Sequence, residues 1–119
     1  MRYALLIYAS EQDRASQSEE QAQAQFQDYM AFTKDIVDRG IMKSGEALQP
    51  TATATTVRVR NGETLSTDGP FAETKEQLGG YYVIEAKDLD EAIEVAARIP
   101  DVRGGSIEIR PIMEMDMPS

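Results

Sequence analysis

Two segments of this chain are apolar on both of their alternating faces, and each stands ahead of a helical pattern. The first is Tyr3-Ala4-Leu5-Leu6-Ile7-Tyr8 and the second is Tyr81-Tyr82-Val83-Ile84. A strand with one wet side alternates apolar with polar; a strand apolar on both sides is expected in the middle of a sheet, covered above and below. After the first segment, Ser18-Glu19-Glu20-Gln21 has capping-box spacing. Ala22, Phe26, Tyr29, Met30, Thr33, Ile36 and Val37 then recur at helical intervals as one apolar stripe. Gly40 suits a helix stop, so the spacing predicts a helix over 19–39. After the second segment, Asp88 to Glu91 repeats the capping pattern. Leu89, Ala92, Ile93, Val95, Ala96 and Ile99 form its stripe, and Pro100 ends it.

The remaining segments complete the order. Residues 9–17 read as a polar loop, and residues 41–48 as a strand closed by Pro50. Thr55 to Arg60 alternates with period two, Asn61-Gly62 is a strong hairpin signal, and Glu63 to Thr67 returns. That register sets Arg60 opposite Glu63 and Val59 opposite Thr64. Gly79-Gly80 opens the second apolar strand, and 106–112 reads as a last strand with Glu108 and Arg110 on one face. The order predicts an α+β ferredoxin-like sandwich, two βαβ halves with a hairpin between them. One domain is expected over 1–113, with a loose tail at 114–119. Two helices cover only one face of such a sheet. The other face predicts a homodimer, with an interface of roughly 1,600 Å² in total.

Composition narrows the chemistry. The 119 residues fit one domain. Twelve basic against twenty-one acidic residues give a formal charge of -9, which makes nucleic acid and anionic membranes poor partners. There is no cysteine and no histidine, so thiolate, Cys-ligated zinc, Ser-His-Asp and Cys-His chemistry are excluded. No metal-ligand spacing or phosphate-cradling glycine loop is present, and no cofactor is expected. The short apolar N-terminus reads as a strand, which leaves a cytoplasmic location.

Among residues able to carry chemistry, Asp68 comes first. Its carboxylate either shapes the turn before Gly69-Pro70 by bonding backbone amides, or serves as a catalytic general base. Phe71 is expected as a core anchor. Arg110 either pairs with Glu108 or acts as a fork for a ligand carboxylate. Lys75 is placed to hold an anionic group at a pocket mouth, and Tyr82 to offer a hydroxyl.

The run Asp68-Gly69-Pro70-Phe71, continuing through Ala72-Glu73-Thr74-Lys75-Glu76-Gln77-Leu78-Gly79-Gly80-Tyr81-Tyr82, is distinctive. With the opening Tyr3 to Tyr8, the Asp90-Glu91-Ala92 helix start and the closing Glu108 to Ile112, it resembles the DGPF group of the YCII-related proteins. The resemblance implies a dimeric ferredoxin-like α+β barrel with a cleft near the dimer interface. It also implies kinship with enzymes acting on small ring-derived or lactone-type molecules, and a setting beside extracytoplasmic-function sigma factors. Better-studied members look as if they pair a histidine on the first helix with an aspartate near the end of the second. Asp101 stands close to that aspartate's place, but this chain has no histidine. Three readings stay open. One is a homodimer that binds a small organic acid. Another is an isomerase, lyase or cofactor-free oxygenase using Asp68 and Arg110. The third is an accessory module linked to a sigma factor.

Overall fold

The computed structural model describes residues 1–115. Its elements are β1 (Arg2–Ala9), α1 (Glu11–Ala15), α2 (Glu19–Asp38), β2 (Met42–Ala47), β3 (Thr55–Arg60), β4 (Glu63–Asp68), β5 (Gln77–Glu85), α3 (Leu89–Ala96) and β6 (Ser106–Pro111), with a 3₁₀ turn at Pro100–Arg103 before β6. Four strands form an antiparallel sheet in the order β2-β5-β1-β6. The two segments apolar on both faces, β1 and β5, are its central strands. Across them Leu5 pairs with Tyr82 on one flank and Ile109 on the other.

Parity then decides what each face carries. Tyr3, Leu5, Ile7, Tyr82 and Ile84 point to one side and are buried with Phe32 and Ile36 of α2 and Ala92, Val95 and Ala96 of α3. Ala4, Leu6, Tyr8, Tyr81 and Val83 point to the other side and are only half-buried. No helix residue joins them there.

The barrel implied by the resemblance is not formed. The larger sheet ends in free edges at β2 and β6, and β3–β4 is a separate two-stranded sheet. Closure requires the edge strands to pair, and a barrel whose interior side chains can fill takes about eight strands. The chain is a mixed α+β fold with two open sheets.

Local chemistry explains where the elements start. Ser18 Oγ accepts from the Gln21 amide at 3.0 Å, and Gln21 Oε1 accepts from the Ser18 amide at 3.0 Å, a complete capping box. Asp88 Oδ1 accepts from the Glu91 amide at 2.9 Å, while the Glu91 carboxylate accepts from Lys87 one residue earlier. The stretch read as a loop over 9–17 holds a short helix, because Ser10 Oγ accepts from the Asp13 amide at 3.1 Å and caps one turn.

The apolar stripes are narrower than their spacing predicts. α2 docks through Tyr29, Phe32 and Ile36, and leaves Phe26, Met30 and Val37 exposed. α3 likewise exposes Leu89 and Ile93. Each helix touches the sheet along one line and has no further layer outside it.

The β3–β4 hairpin has the expected register, with Arg60 opposite Glu63 and Val59 opposite Thr64. Asn61 and Gly62 take φ of 52° and 77°, the pair of positive values that a two-residue hairpin turn of this type requires. Beyond its base the ribbon stands off the body, with only Thr56 half-buried. The radius of gyration is accordingly 16.6 Å, against about 13.5 Å for a compact chain of this length. The start of the expected loose tail is pinned: Arg2 donates to both Glu114 oxygens at 2.8 and 2.9 Å. The rest of that tail, 116–119, lies outside the described residues.

Candidate functional site

The most heavily bonded side chain in the body is a carboxylate. Asp101, in the 3₁₀ turn after α3, is 8% exposed. An ion this buried needs donors, since an unpaired one would be too costly to keep charged. Three elements supply them. Arg14 Nη2 of α1 donates to Oδ2 at 2.8 Å, the Tyr29 hydroxyl of α2 donates to Oδ2 at 2.5 Å, and Gln25 Nε2 of α2 donates to Oδ1 at 3.0 Å. Burial, then the bond to Asp101, holds the Tyr29 phenol far above its ordinary pKa. Tyr29 therefore stays a proton donor and cannot act as a base.

A carboxylate offers about four lone-pair positions, and Asp101 spends three of them. The node is a clasp joining α1, α2 and the turn. It faces the first long helix, as the implied aspartate–histidine pairing would need. In this chain it meets an amide and a phenol there. Gly105 makes the turn's approach feasible: a Cβ at that position would lie 2.1 Å from the Tyr8 carbonyl oxygen.

α1 links this node to a cleft. Three residues before Arg14, the Glu11 carboxylate accepts from the Thr51 amide and the Thr51 hydroxyl, both at 2.8 Å. The Glu11 amide donates to Gln77 Oε1 at 2.9 Å. Glu11, Thr51, Gly69, Pro70, Glu73 and Gln77 are among the residues lining a cleft of about 350 Å³. That lies within the ~300–1,000 Å³ range of small-molecule sites. Glu73 has no ion pair or hydrogen bond among the described residues. The lining includes no lysine or arginine. A second groove, of about 300 Å³, lies between α2 and the turn, with Phe32 and Pro100 at its base and Arg98 and Arg103 at its rim. Arg98 is bonded to Asp35 at 2.8 Å, whereas Arg103 stands 3.9 Å from Asp28.

The residues singled out from sequence are scattered. Asp68 ends β4, exposed opposite Thr55, and is not part of the cleft lining. Gly69, at φ +104°, donates its amide to the Ala54 carbonyl at 2.7 Å and turns Pro70 into the cleft wall. Phe71, expected in the core, is 80% exposed. The loop holding it stands outside the two-layer body, so no core reaches it. Lys75 is exposed and absent from the lining. Arg110 pairs with Glu108 on the uncovered sheet face and is 67% exposed as a side chain. Tyr82 is buried: its hydroxyl meets Thr33 Oγ1 at 2.6 Å, and its ring packs edge-on against Phe32 with centroids 5.3 Å apart. Of the set, only Gly69 and Pro70 share a site.

Sequence reading missed Arg14, Gln25 and Glu11. A signal existed for one pair: Gln25 and Tyr29 are four residues apart on one helix and so share a face. For Arg14 and Glu11 the signal was the Ser10 cap, three residues ahead of Asp13. Among the described residues no three acidic side chains converge as a metal site would need, and no helix is long and apolar enough to cross a membrane.

Comparison with known proteins agrees along nearly the whole chain. The YCII-related domain matches residues 1–116. An uncharacterized protein of Rhizobium meliloti (strain 1021) is 40% identical over 114 residues, covering 94% of this chain and 92% of the relative. The strand–helix frame and the Gly69–Pro70 turn thus sit in a chain that belongs to the YCII-related family.

Proposed function

We propose that this protein is a homodimer that binds a small molecule in the cleft beside Gly69 and Pro70. The uncovered sheet face supports the dimer: Ala4, Leu6, Tyr8, Tyr81 and Val83 form an apolar patch that no element of their own chain covers. Contiguous patches of this kind are rare on monomers. The cleft carries the binding. Its walls are fixed in advance by the Glu11–Thr51 and Glu11–Gln77 bonds, so little ordering is left for a ligand to impose.

Charge sets the ligand class. Glu73 is the free ionic group in the lining, and Glu11 is already engaged. A neutral or cationic molecule with hydrogen-bond donors fits; an organic acid would meet carboxylates and neither Lys75 nor Arg110. A thermal-shift panel of small amines, amides and acids, followed by amide-shift mapping, tests this. Binders should move the amides of Gly69, Ala72, Thr74 and Gln77, and Glu73→Gln should weaken cationic binders about tenfold. A panel that leaves those amides still would overturn the cleft.

A second reading has its own observation. The groove between α2 and the turn offers the Arg103 guanidinium, 3.9 Å from Asp28, with Arg98 held by Asp35 beside it, over an aromatic and proline floor, and a cation there suits an organic acid. It predicts that acids shift Ala31 and Arg103, and that Arg103→Ala abolishes the response. As general base, Asp68 would have to reach a ligand from outside the cleft lining. Asp68→Asn that leaves a discovered turnover unchanged removes it from that role.

A further inference from the structure

We infer that the β3–β4 hairpin is an arm that grips a second copy of this chain, laying the valine face of its outer part on the partner. This rests on the homodimer reading above and says which further surface completes it.

The ribbon's two faces differ in kind. Pairing across the register puts Val57, Val59, Thr64 and Ser66 on one side, and Arg58, Arg60, Glu63 and Leu65 on the other. The first set holds no charge along the outer ribbon; Thr55 and the Asp68 carboxylate share that side at the ribbon's base. Its valines are 61% and 58% exposed, so nothing in their own chain covers them. An amphipathic ribbon with its apolar side bare is marginal alone, since an isolated two-stranded hairpin is barely stable in water. β-branched residues placed two apart on one face are suited to packing against another surface.

Charge points to the same chain as occupant. Over 55–68 the ribbon carries Arg58, Arg60, Glu63 and Asp68, which cancel, so the whole formal charge of -9 lies on the rest of the molecule. Two copies of so acidic a body repel one another. A neutral arm docks without adding to that repulsion.

A stable interface takes about 800 Å² from each partner. The five apolar sheet-face residues are already half-buried within their own chain, and Glu108 and Arg110 flank them on that face. The ribbon adds apolar surface to theirs: nearly every residue of its two six-residue strands is exposed. The molecule is a plate, 48 × 47 × 21 Å. A thickness of 21 Å leaves room for one sheet and one helix layer, so the ribbon extends outward from the body and is free to reach past its edge.

The test is sedimentation velocity on the full chain over a dilution series, with circular dichroism to confirm folding. The paired substitution Val57→Lys with Val59→Lys should raise the dimer dissociation constant at least about tenfold. The control, Arg58→Ser with Arg60→Ser on the opposite face, should leave it near the wild-type value. If the lysine variant associates like wild type, the arm is wrong and the sheet-face dimer stands. Equal weakening by both variants overturns the face assignment. Wild type that sediments as one copy at every concentration overturns the dimer reading and the arm together.

Discussion

The four-stranded sheet and the β3–β4 ribbon are both antiparallel, with registers that follow from their sequences, yet they are held in opposite ways. In the body, Leu5 and Ile84 are fully buried, and helices, the 3₁₀ turn and the Asp101 clasp press on one side of the strands. In the ribbon each strand pairs only with the other, and the turn Asn61-Gly62 alone sets its register. Hydrogen bonding is therefore common to both, and what differs is coverage. Covered strands specify position through packing; uncovered ones specify only local geometry, and their place is set by whatever they meet.

This contrast is open to attack from the body first. Gly105→Ala should cost about 3 kcal/mol or more, because the new Cβ meets the Tyr8 carbonyl at 2.1 Å, a backbone atom that cannot swing aside. Urea unfolding reads it. Next, Asp101→Asn should cost about 2–3 kcal/mol. It removes the charge that Arg14 and Tyr29 bond, and the figure is held down because Arg14 is partly open to water. Tyr29→Phe should cost less, about 1–2 kcal/mol.

The ribbon should respond only locally. Gly62→Ala places a side chain at φ +77° and should cost about 1 kcal/mol. Amide exchange over 55–68 should quicken while the body's unfolding midpoint changes little. A matching drop in the midpoint would show that ribbon and body fold as one unit and would break the comparison.

Changes of pH should produce smaller effects. Tyr29 has a raised folded pKa, so its stabilisation is complete below the ordinary phenol value of about 10 and is lost as pH rises beyond it. Tyr29→Phe should flatten that alkaline limb. Asp35 has a lowered pKa through its bond to Arg98, then Arg39, so its contribution holds above the ordinary carboxylate value and fades in acid. Asp35→Asn should make the acid limb of a melting-temperature profile slightly shallower.

Much of this frame was legible before the structure. Periodicity placed β1 and β5 at the centre, the caps at Ser18 and Asp88 set the helix starts, and Asn61-Gly62 fixed the hairpin. Those are local signals, each carried by residues within a few positions. What stayed hidden was non-local. Phe32, three residues after Tyr29 and four before Ile36, is buried with them, while Phe26, Met30 and Val37 of the expected stripe are exposed, because α2 docks along the line that meets Tyr82. Asp101's partners come from α1 and α2, 72 to 87 residues away in sequence. Asp68 and Phe71 drew attention as motif residues, but no local pattern tells whether a motif lies in a wall or on a rim. The barrel came from resemblance alone, and strand count and free edges correct it.

A second copy of this chain is expected to cover the sheet face bearing Leu6, Tyr81 and Val83. Sedimentation equilibrium of the unmodified chain measures it directly. The predicted mass is twice the 13.2 kDa of the chain, falling toward a single copy for Leu6→Glu. A single-copy mass at every concentration, with the face open to an apolar dye, would contradict it.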